Sequence, residues 1–164
     1  MPFGLPSEAA SLAFLGILLV AAMIIAFAHR GAPLGTRTLP AACVDLALQA
    51  LHVAEEFSAG FHVRAPALFG LPPWSPDFFV WINMAAIAAW TLALAAIASG
   101  RPNVPAIGLL WFLALASIGN ALWHPATSIA LGGYFPGTAT AVPLGLAGLV
   151  LATALAGRRQ SGPA

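Results

Sequence analysis

Long apolar runs divide the chain into five predicted membrane-spanning helices. Each run is about 20 residues long, the length that an α-helix needs to cross about 30 Å of hydrocarbon. The segments between the runs are short and contain glycine and proline, which is typical of helix ends. The sequence therefore predicts an all-α fold, a polytopic transmembrane helical bundle that forms a single domain over residues 1–164. The predicted spans are 11–28, 40–61, 78–98, 105–124 and 140–156.

Three connecting or terminal segments need a separate interpretation. The longest connection, between Phe61 and Phe78, is rich in proline, and we expect it to be an ordered re-entrant or interfacial loop. The leader before the first run has no basic residue and contains Glu8, so we interpret that run as a retained helix and not as a signal peptide. The last eight residues, 157–164, are expected to be frayed.

The composition excludes several classes of protein. Hydrophobic residues make up 60% of the chain and charged residues only 7%, whereas about 25% of a typical soluble domain is charged. A water-soluble enzyme and a disordered chain are therefore excluded. The chain has no lysine and a net charge of +1, so it lacks the basic surface of a nucleic-acid-binding protein. Its single cysteine, Cys43, excludes an internal disulfide and a multi-thiolate metal site.

The arginines orient the predicted bundle, because basic residues accumulate on the cytoplasmic side of a membrane. In a five-span arrangement only Arg64, of the 6 basic residues, falls on the other side, near Glu8 and Asp77. We therefore predict that the N-terminus lies outside and the C-terminus in the cytoplasm. The residues that define the cytoplasmic side are Arg30, Arg37, Arg101, Arg158 and Arg159.

The second predicted span carries an unusual stripe of polar residues. At 100° per residue, an arc of about 120° contains all five of them. The stripe consists of Asp45, Gln49, His52, Glu55 and Glu56. A carboxylate at membrane depth costs about 3 kcal/mol or more, so three of them must face the bundle interior and be compensated there. Histidine, hydrogen bonding, protonation or a bound cation remain as compensation, because every arginine lies outside the predicted spans.

The fourth predicted span offers a matching stripe. Asn120 and His124 are four residues apart and share one helix face with Ser117. In the predicted topology the second and fourth spans run in the same direction, and the polar residues at 52–56 and 120–124 fall in the outward half of each. The two stripes therefore predict one polar site between these helices.

Metal chemistry gives the sharpest interpretation of this site. His52 and Glu56 lie one helical turn apart, and His124 completes a set of two histidines and one carboxylate. Such a set suits Zn²⁺ with an open coordination position, or non-haem Fe²⁺. Glu55 would then be free as a general base, and Asn120 is a further candidate catalytic residue.

Several alternatives stay open at this stage. His52 with Glu55 is an equally suitable ligand pair, with Glu56 as the base. The polar residues could also form a metal-free acid–base site, or a structural tie between the two helices. Asp45 and Gln49 either support the ligands from behind or form a separate polar tie.

A turn between the fourth and fifth spans carries a third candidate catalytic residue, Tyr134. Pro136 and Gly137 suit a type II turn, in which glycine supplies the positive φ. The turn could fold Tyr134 over the mouth between spans two and four, where its hydroxyl would donate to a substrate oxygen or to a carboxylate. The alternative is a helix-capping turn with an interfacial tyrosine.

Three short motifs resemble those of the HXXEE family of bacterial integral membrane proteins, and they occur in that family's order over more than half of the chain. They read HVAEE at 52–56, NALWH at 120–124 and YFPGT at 134–138. The resemblance implies a multi-pass protein of the bacterial inner (cytoplasmic) membrane. It also supports the same site residues, and the family's motifs hint at enzymatic activity of an unassigned kind.

The sequence thus leads to three hypotheses about function. The first is a membrane-embedded enzyme that uses a divalent metal, Zn or Fe, to hydrolyse or isomerise a lipid, isoprenoid or other apolar molecule. The second is a metal-free acid–base isomerase or cyclase that uses the paired carboxylates. The third is an ion or proton carrier, or a metal-binding membrane protein. The abundant glycine and alanine also allow copies of the chain to associate as a homo-oligomer.

Overall fold

The structure, a computed structural model, describes residues 7–29 and 34–157, and within those ranges it contains six helices and no strand. The helices are α1 (Ser7–Ala28), α2 (Thr38–Ser58), α3 (Phe61–Ala67), α4 (Pro76–Ala98), α5 (Val104–Ala130) and α6 (Thr138–Ala156). The predicted all-α class is therefore confirmed. The expected fraying of residues 157–164, and the basic residues Arg30, Arg158 and Arg159, fall outside the described residues except for Gly157.

Four of the described helices, α1, α4, α5 and α6, are long and apolar enough to cross a membrane, which indicates a membrane protein. Helix α2 has 21 residues and so is also long enough, but its polar residues lower its hydropathy and it is not among the four. Large apolar side chains cover much of the surface of the bundle, as lipid-facing helices require. Examples are Phe14, Ile17, Trp81, Leu92 and Leu146, each at least 60% exposed.

The helix boundaries differ from the predicted ones where local capping decides them. Ser75 caps α4 by accepting a hydrogen bond from the Phe78 N–H, and Asn103 caps α5 in the same way through Ala106. Helix α5 continues past Pro125 to Ala130, six residues beyond the predicted end of its span. Helix α2 ends at residue 58 and not at 61, because the chain turns at residue 60 into a new helix.

The predicted re-entrant loop between α2 and α4 is ordered, but part of it is helical. Helix α3 occupies residues 61–67 of it and is followed by a turn and an extended segment that leads to α4. The Trp74 N–H donates to the His62 carbonyl oxygen, which folds the extended segment back on α3. Proline-rich composition alone did not indicate this short helix, whose own Pro66 is fully buried.

Helix α5 lies at the centre of the bundle and packs against α1, α4 and α6. Its side chains Leu110 and Leu113 are completely buried. Contact with α6 is close enough to require glycine, because a Cβ at Gly148 would lie 2.8 Å from the Ala114 carbonyl oxygen. Helix α2 packs mainly against α6, so α6 has α5 on one side and α2 on the other.

Hydrogen bonds between helix ends show which termini meet. Glu8, at the start of α1, accepts hydrogen bonds from the backbone N–H and the hydroxyl of Ser75, at the start of α4. Arg64, just after α2, donates to the Tyr134 carbonyl oxygen, just before α6. We call this end of the bundle the site end. At the opposite end the Thr38 hydroxyl, at the start of α2, lies 3.5 Å from the Ala154 carbonyl oxygen of α6.

Candidate metal centre

The polar stripe of α2 faces the interior of the bundle, as the sequence predicted. Asp45, Gln49, His52 and Glu56 are all buried, and the most exposed of them, Glu56, is only 6% exposed. Glu55 lies at the edge of the stripe and is only partly buried. These residues are spaced so that one side of each successive turn is polar, and that side is covered by neighbouring helices.

Three side chains come together as potential metal ligands: His52 and Glu56 from α2, and His124 from α5. Glu56 Oε1 lies 3.5 Å from His52 Nε2 and 3.3 Å from His124 Nε2, and the three ligand atoms all lie within 4.8 Å of one another. Ligand atoms about 2.1 Å from one tetrahedral Zn²⁺ are roughly 3.4 Å apart, so both histidine–carboxylate separations fit. The predicted set can therefore hold a metal ion.

Hydrogen bonds to the outer nitrogens of the two histidines assign their tautomers. His124 Nδ1 lies 2.5 Å from the Pro136 carbonyl oxygen. A carbonyl oxygen can only accept, so His124 must carry its proton on Nδ1. In the neutral ring, Nε2 then presents a lone pair towards Glu56.

His52 is assigned in the same way through a chain of three groups. Thr140 donates its hydroxyl proton to Glu55 Oε2, at 2.5 Å, because a carboxylate can only accept. The Thr140 oxygen, 2.7 Å from His52 Nδ1, must then accept from that nitrogen. In its neutral form His52 therefore also has an Nε2 lone pair, and the Nε2 atoms of both histidines are buried without a hydrogen-bond partner in the described part of the chain.

Glu55 occupies a different position from the one predicted. Its two oxygens accept four hydrogen bonds, from the Tyr134 hydroxyl (2.5 Å), the Ala139 N–H (3.0 Å), the Thr140 N–H (2.8 Å) and the Thr140 hydroxyl. The carboxylate thus caps the N-terminus of α6, where the unpaired N–H groups and the helix dipole favour an anion. The structure places Glu55 behind Thr140 and not as a free base among the ligands, because the start of α6 covers that edge of α2.

Tyr134 lies at the surface of the site end, with half of its side chain exposed. Its hydroxyl donates to Glu55, which is one of the two roles expected for it. Partial burial, together with the neighbouring Glu55 carboxylate, raises the pKa of Tyr134 above its usual value. The tyrosine therefore remains a hydrogen-bond donor.

Residues 134–137, which we call the capping segment, close the site from the side of α6. Phe135 and Pro136 are fully buried, and the Phe135 ring lies 5.9 Å from the His124 ring. Gly137 has the positive φ expected from the sequence, 90°. A Cβ at this position would lie 2.5 Å from His124 Cε1 and 2.9 Å from His52 Cε1. Glycine is therefore required here both for its backbone conformation and for space.

The other residues that the sequence predicted for the site, Asp45, Gln49 and Asn120, form no hydrogen bond to the three potential ligands. Asp45 accepts a hydrogen bond from Ser117, two turns along α2 from His52, which favours the alternative of a separate polar tie. Asn120 is partly buried and its side chain forms no hydrogen bond within the described residues, so no contact supports a catalytic role for it. Sequence reasoning assigned no role to Thr140, which lies with Thr138 in the first turn of α6 and follows the YFPGT motif by two residues.

No family model, curated protein or solved structure matches this chain. The interpretation of the site therefore depends on the geometry of its own residues.

Proposed function

We propose that this protein is a membrane-embedded metalloenzyme whose divalent ion, Zn²⁺ or Fe²⁺, is held by His52, Glu56 and His124. One observation carries the proposal. Two fully buried histidines direct Nε2 atoms without a hydrogen-bond partner towards one buried carboxylate, while their Nδ1 protons are held by other groups. Buried polar atoms are rarely left without a partner, and a metal ion would bind both Nε2 atoms and the Glu56 carboxylate at once.

In this proposal the chain crosses the membrane five times: α2 is a span in addition to α1, α4, α5 and α6. The large exposed side chains of α2, such as Val44 and Leu51, are apolar, whereas the polar stripe residues other than Glu55 are buried. This inside-out distribution suits a helix that faces lipid on one side and a polar site on the other. Arg37 and Arg101 precede α2 and α5, at the end opposite the site, so the site end would face outwards from a bacterial inner membrane.

The chain's own residues would prepare the site before any substrate binds. The Glu55–Thr140 pair fixes the orientation of His52, and the Pro136 carbonyl fixes that of His124. The capping segment excludes water from the histidine rings. When bound, the metal would supply a Lewis acid that polarises a substrate oxygen or activates a water molecule. Tyr134, at the rim, donates its one hydroxyl proton to Glu55, so its oxygen would accept a hydrogen bond from the substrate.

An apolar groove of about 200 Å³ supports a membrane-soluble substrate, such as a lipid or isoprenoid. The groove lies between α2 and α4 and is lined by apolar side chains, among them Val53 and Phe57 of α2 and Met84 of α4. The apolar part of the proposed substrate would lie in this groove, beside the face of α2 that carries Glu56. Hydrolysis and proton-shuttling isomerisation both suit this arrangement. The proposal is also compatible with the resemblance of the three motifs to those of the HXXEE family.

A second candidate function, metal-free acid–base catalysis, is favoured by one observation. Glu56 Oε1 lies 3.3 Å from His124 Nε2, close enough for the two groups to share a proton. In that case Glu56 and His124 would exchange a proton with the substrate. The reaction would then take place among the same residues as the metal site, His52, Glu56 and His124.

The experiment that tests the proposal compares lipids from membranes that contain the wild-type protein, Glu56→Gln or His29→Ala. His29 lies just after α1, and its ring is hydrogen-bonded to the Ile25 carbonyl oxygen. It is not one of the three potential ligands, so its replacement serves as the matched control. We expect wild type and the control to change the amount of at least one lipid relative to membranes without the protein. Glu56→Gln and chelator-treated wild type should change none. A change that survives chelation would favour the metal-free candidate, and identical lipids in all samples would contradict enzymatic activity.

A further inference from the structure

A second buried polar cluster lies on α2 two turns before the candidate metal centre. It consists of Asp45 and Gln49 on α2 and Ser117 on α5, and Gln49, the most exposed of the three, is 5% exposed. The Ser117 hydroxyl donates to Asp45 Oδ1 at 2.7 Å. Asp45 Oδ2 and Gln49 Oε1 are both buried without a hydrogen-bond partner among the described residues. Two acceptor oxygens are thus left unsatisfied on one helix face.

Basic side chains do not compensate Asp45. Within the described part of the chain, Glu56 is the acidic residue that lies within ion-pair distance of a histidine or arginine, and its partners are His52 and His124. The helices packed against α2 are α3, α4, α5 and α6, and the last of these has no ionisable side chain. The ionisable residues of the other three are His62, Arg64, Asp77 and His124. Those of α2 itself, besides Asp45, are Cys43, His52, Glu55 and Glu56.

The cluster suits a proton better than a metal cation. Hard cations such as Ca²⁺ or Mg²⁺ take about six oxygen ligands, whereas these buried side chains offer four and would need waters to complete the shell, since the helical carbonyls are already hydrogen-bonded. A proton needs only one oxygen to hold it and one to accept it. Asp45 and Gln49 are four residues apart, which places them on adjacent turns of the same face.

We propose that Asp45 is a buried proton-binding site, a neutral carboxylic acid whose Oδ2–H donates to Gln49 Oε1. One proton then satisfies both orphaned oxygens and removes the charge from the middle of α2, where an ionised carboxylate is costly in a membrane. The site shares no residue with the candidate metal centre. It therefore stands whether or not the metal proposal holds.

Infrared spectroscopy tests this directly on the full chain. At neutral pH the wild-type protein should show the C=O stretch of a protonated carboxylic acid, and Asp45→Asn should lack that band. Gln49→Leu should keep the band but shift it to higher frequency, because the acid loses its acceptor. If Asp45→Asn removes no such band, Asp45 is ionised and a rotated Gln49 amide donates to it, which overturns the proposal.

Stability and metal content give a second test with the same variants. Asparagine has the shape of the neutral acid, so Asp45→Asn should keep the melting temperature and the metal content of the wild type. Asp45→Leu should lower the melting temperature, since it leaves the Ser117 and Gln49 groups without a partner. Failure of Asp45→Asn to fold would show that the charge is needed, and loss of bound metal would assign Asp45 to the metal centre. Either result overturns the proposal.

Discussion

Thr140 and Glu55, 85 residues apart in the chain, are joined by two hydrogen bonds, one from the Thr140 N–H and one from its hydroxyl. The hydroxyl oxygen also accepts from His52 Nδ1, so it connects the carboxylate to the imidazole. Such outer partners fix the tautomer and the ring orientation of a ligating histidine. Thr140 is therefore a positioning residue for His52.

Replacement of Thr140 by valine should weaken metal binding without unfolding the protein. The loss of an outer hydrogen-bond partner typically reduces metal affinity by about 10–100-fold, and Thr140→Val keeps the shape but removes the hydroxyl. Zn²⁺ titration of the purified protein measures the effect. Thr140→Ser keeps the hydroxyl and should bind as the wild type does. Equal affinity in the valine variant would show that the hydroxyl does not position His52.

Substitution of Gly137 by alanine should abolish metal binding. The new Cβ would collide with both imidazole rings, and the positive φ would strain any residue with a side chain. Gly133→Ala is the matched control, because a Cβ there meets nothing within 4 Å and φ is not positive. Zn²⁺ titration and thermal unfolding of both variants test this. Normal binding by Gly137→Ala would mean that the capping segment does not lie against the histidines.

Neutralising Glu55 should lower stability and spare the metal. Glu55→Gln loses the charge that accepts four hydrogen bonds at the N-terminus of α6, and we expect a cost of about 1–2 kcal/mol. Thermal unfolding measures this cost, and metal analysis of the same sample should show unchanged stoichiometry. Glu8→Gln, which affects two hydrogen bonds at the exposed start of α4, should cost less. Loss of metal from Glu55→Gln would place Glu55 among the ligands.

The five-span topology predicts that the two ends of α2 lie on opposite sides of the membrane. Cysteines introduced at Arg37 and at Ser75 should react from opposite sides with a membrane-impermeant reagent. The native Cys43 is exposed on α2 and must first be replaced by alanine. Labelling of both positions from one side would mean that α2 does not cross the bilayer.

Helical periodicity was enough to predict the buried face of α2 and the partner in α5. Asp45, Gln49, His52 and Glu56 recur every three or four residues, and this spacing places them on one face whatever surrounds them. The capping contacts could not be predicted in this way. They depend on where the start of α6 lies relative to α2, and no periodicity within one helix contains that information.

Glu55 shows the limit of such reasoning most clearly. Its angular position at the edge of the stripe was correctly predicted, but the environment of that edge was not. A carboxylate facing an open cavity could serve as a base, whereas one facing a helix N-terminus becomes a cap. The structure places α6 there, and the hydrogen bonds of its first turn engage both oxygens of Glu55.

Elemental analysis of the detergent-purified protein, prepared without chelator, tests the central claim most directly. The wild type and the His29→Ala control should each contain about one transition-metal ion per chain. His52→Ala and His124→Ala should contain none while remaining folded, since each removes one of the three ligands. A metal-free wild type that cannot be loaded with Zn²⁺, or full metal content in either ligand variant, would contradict the account.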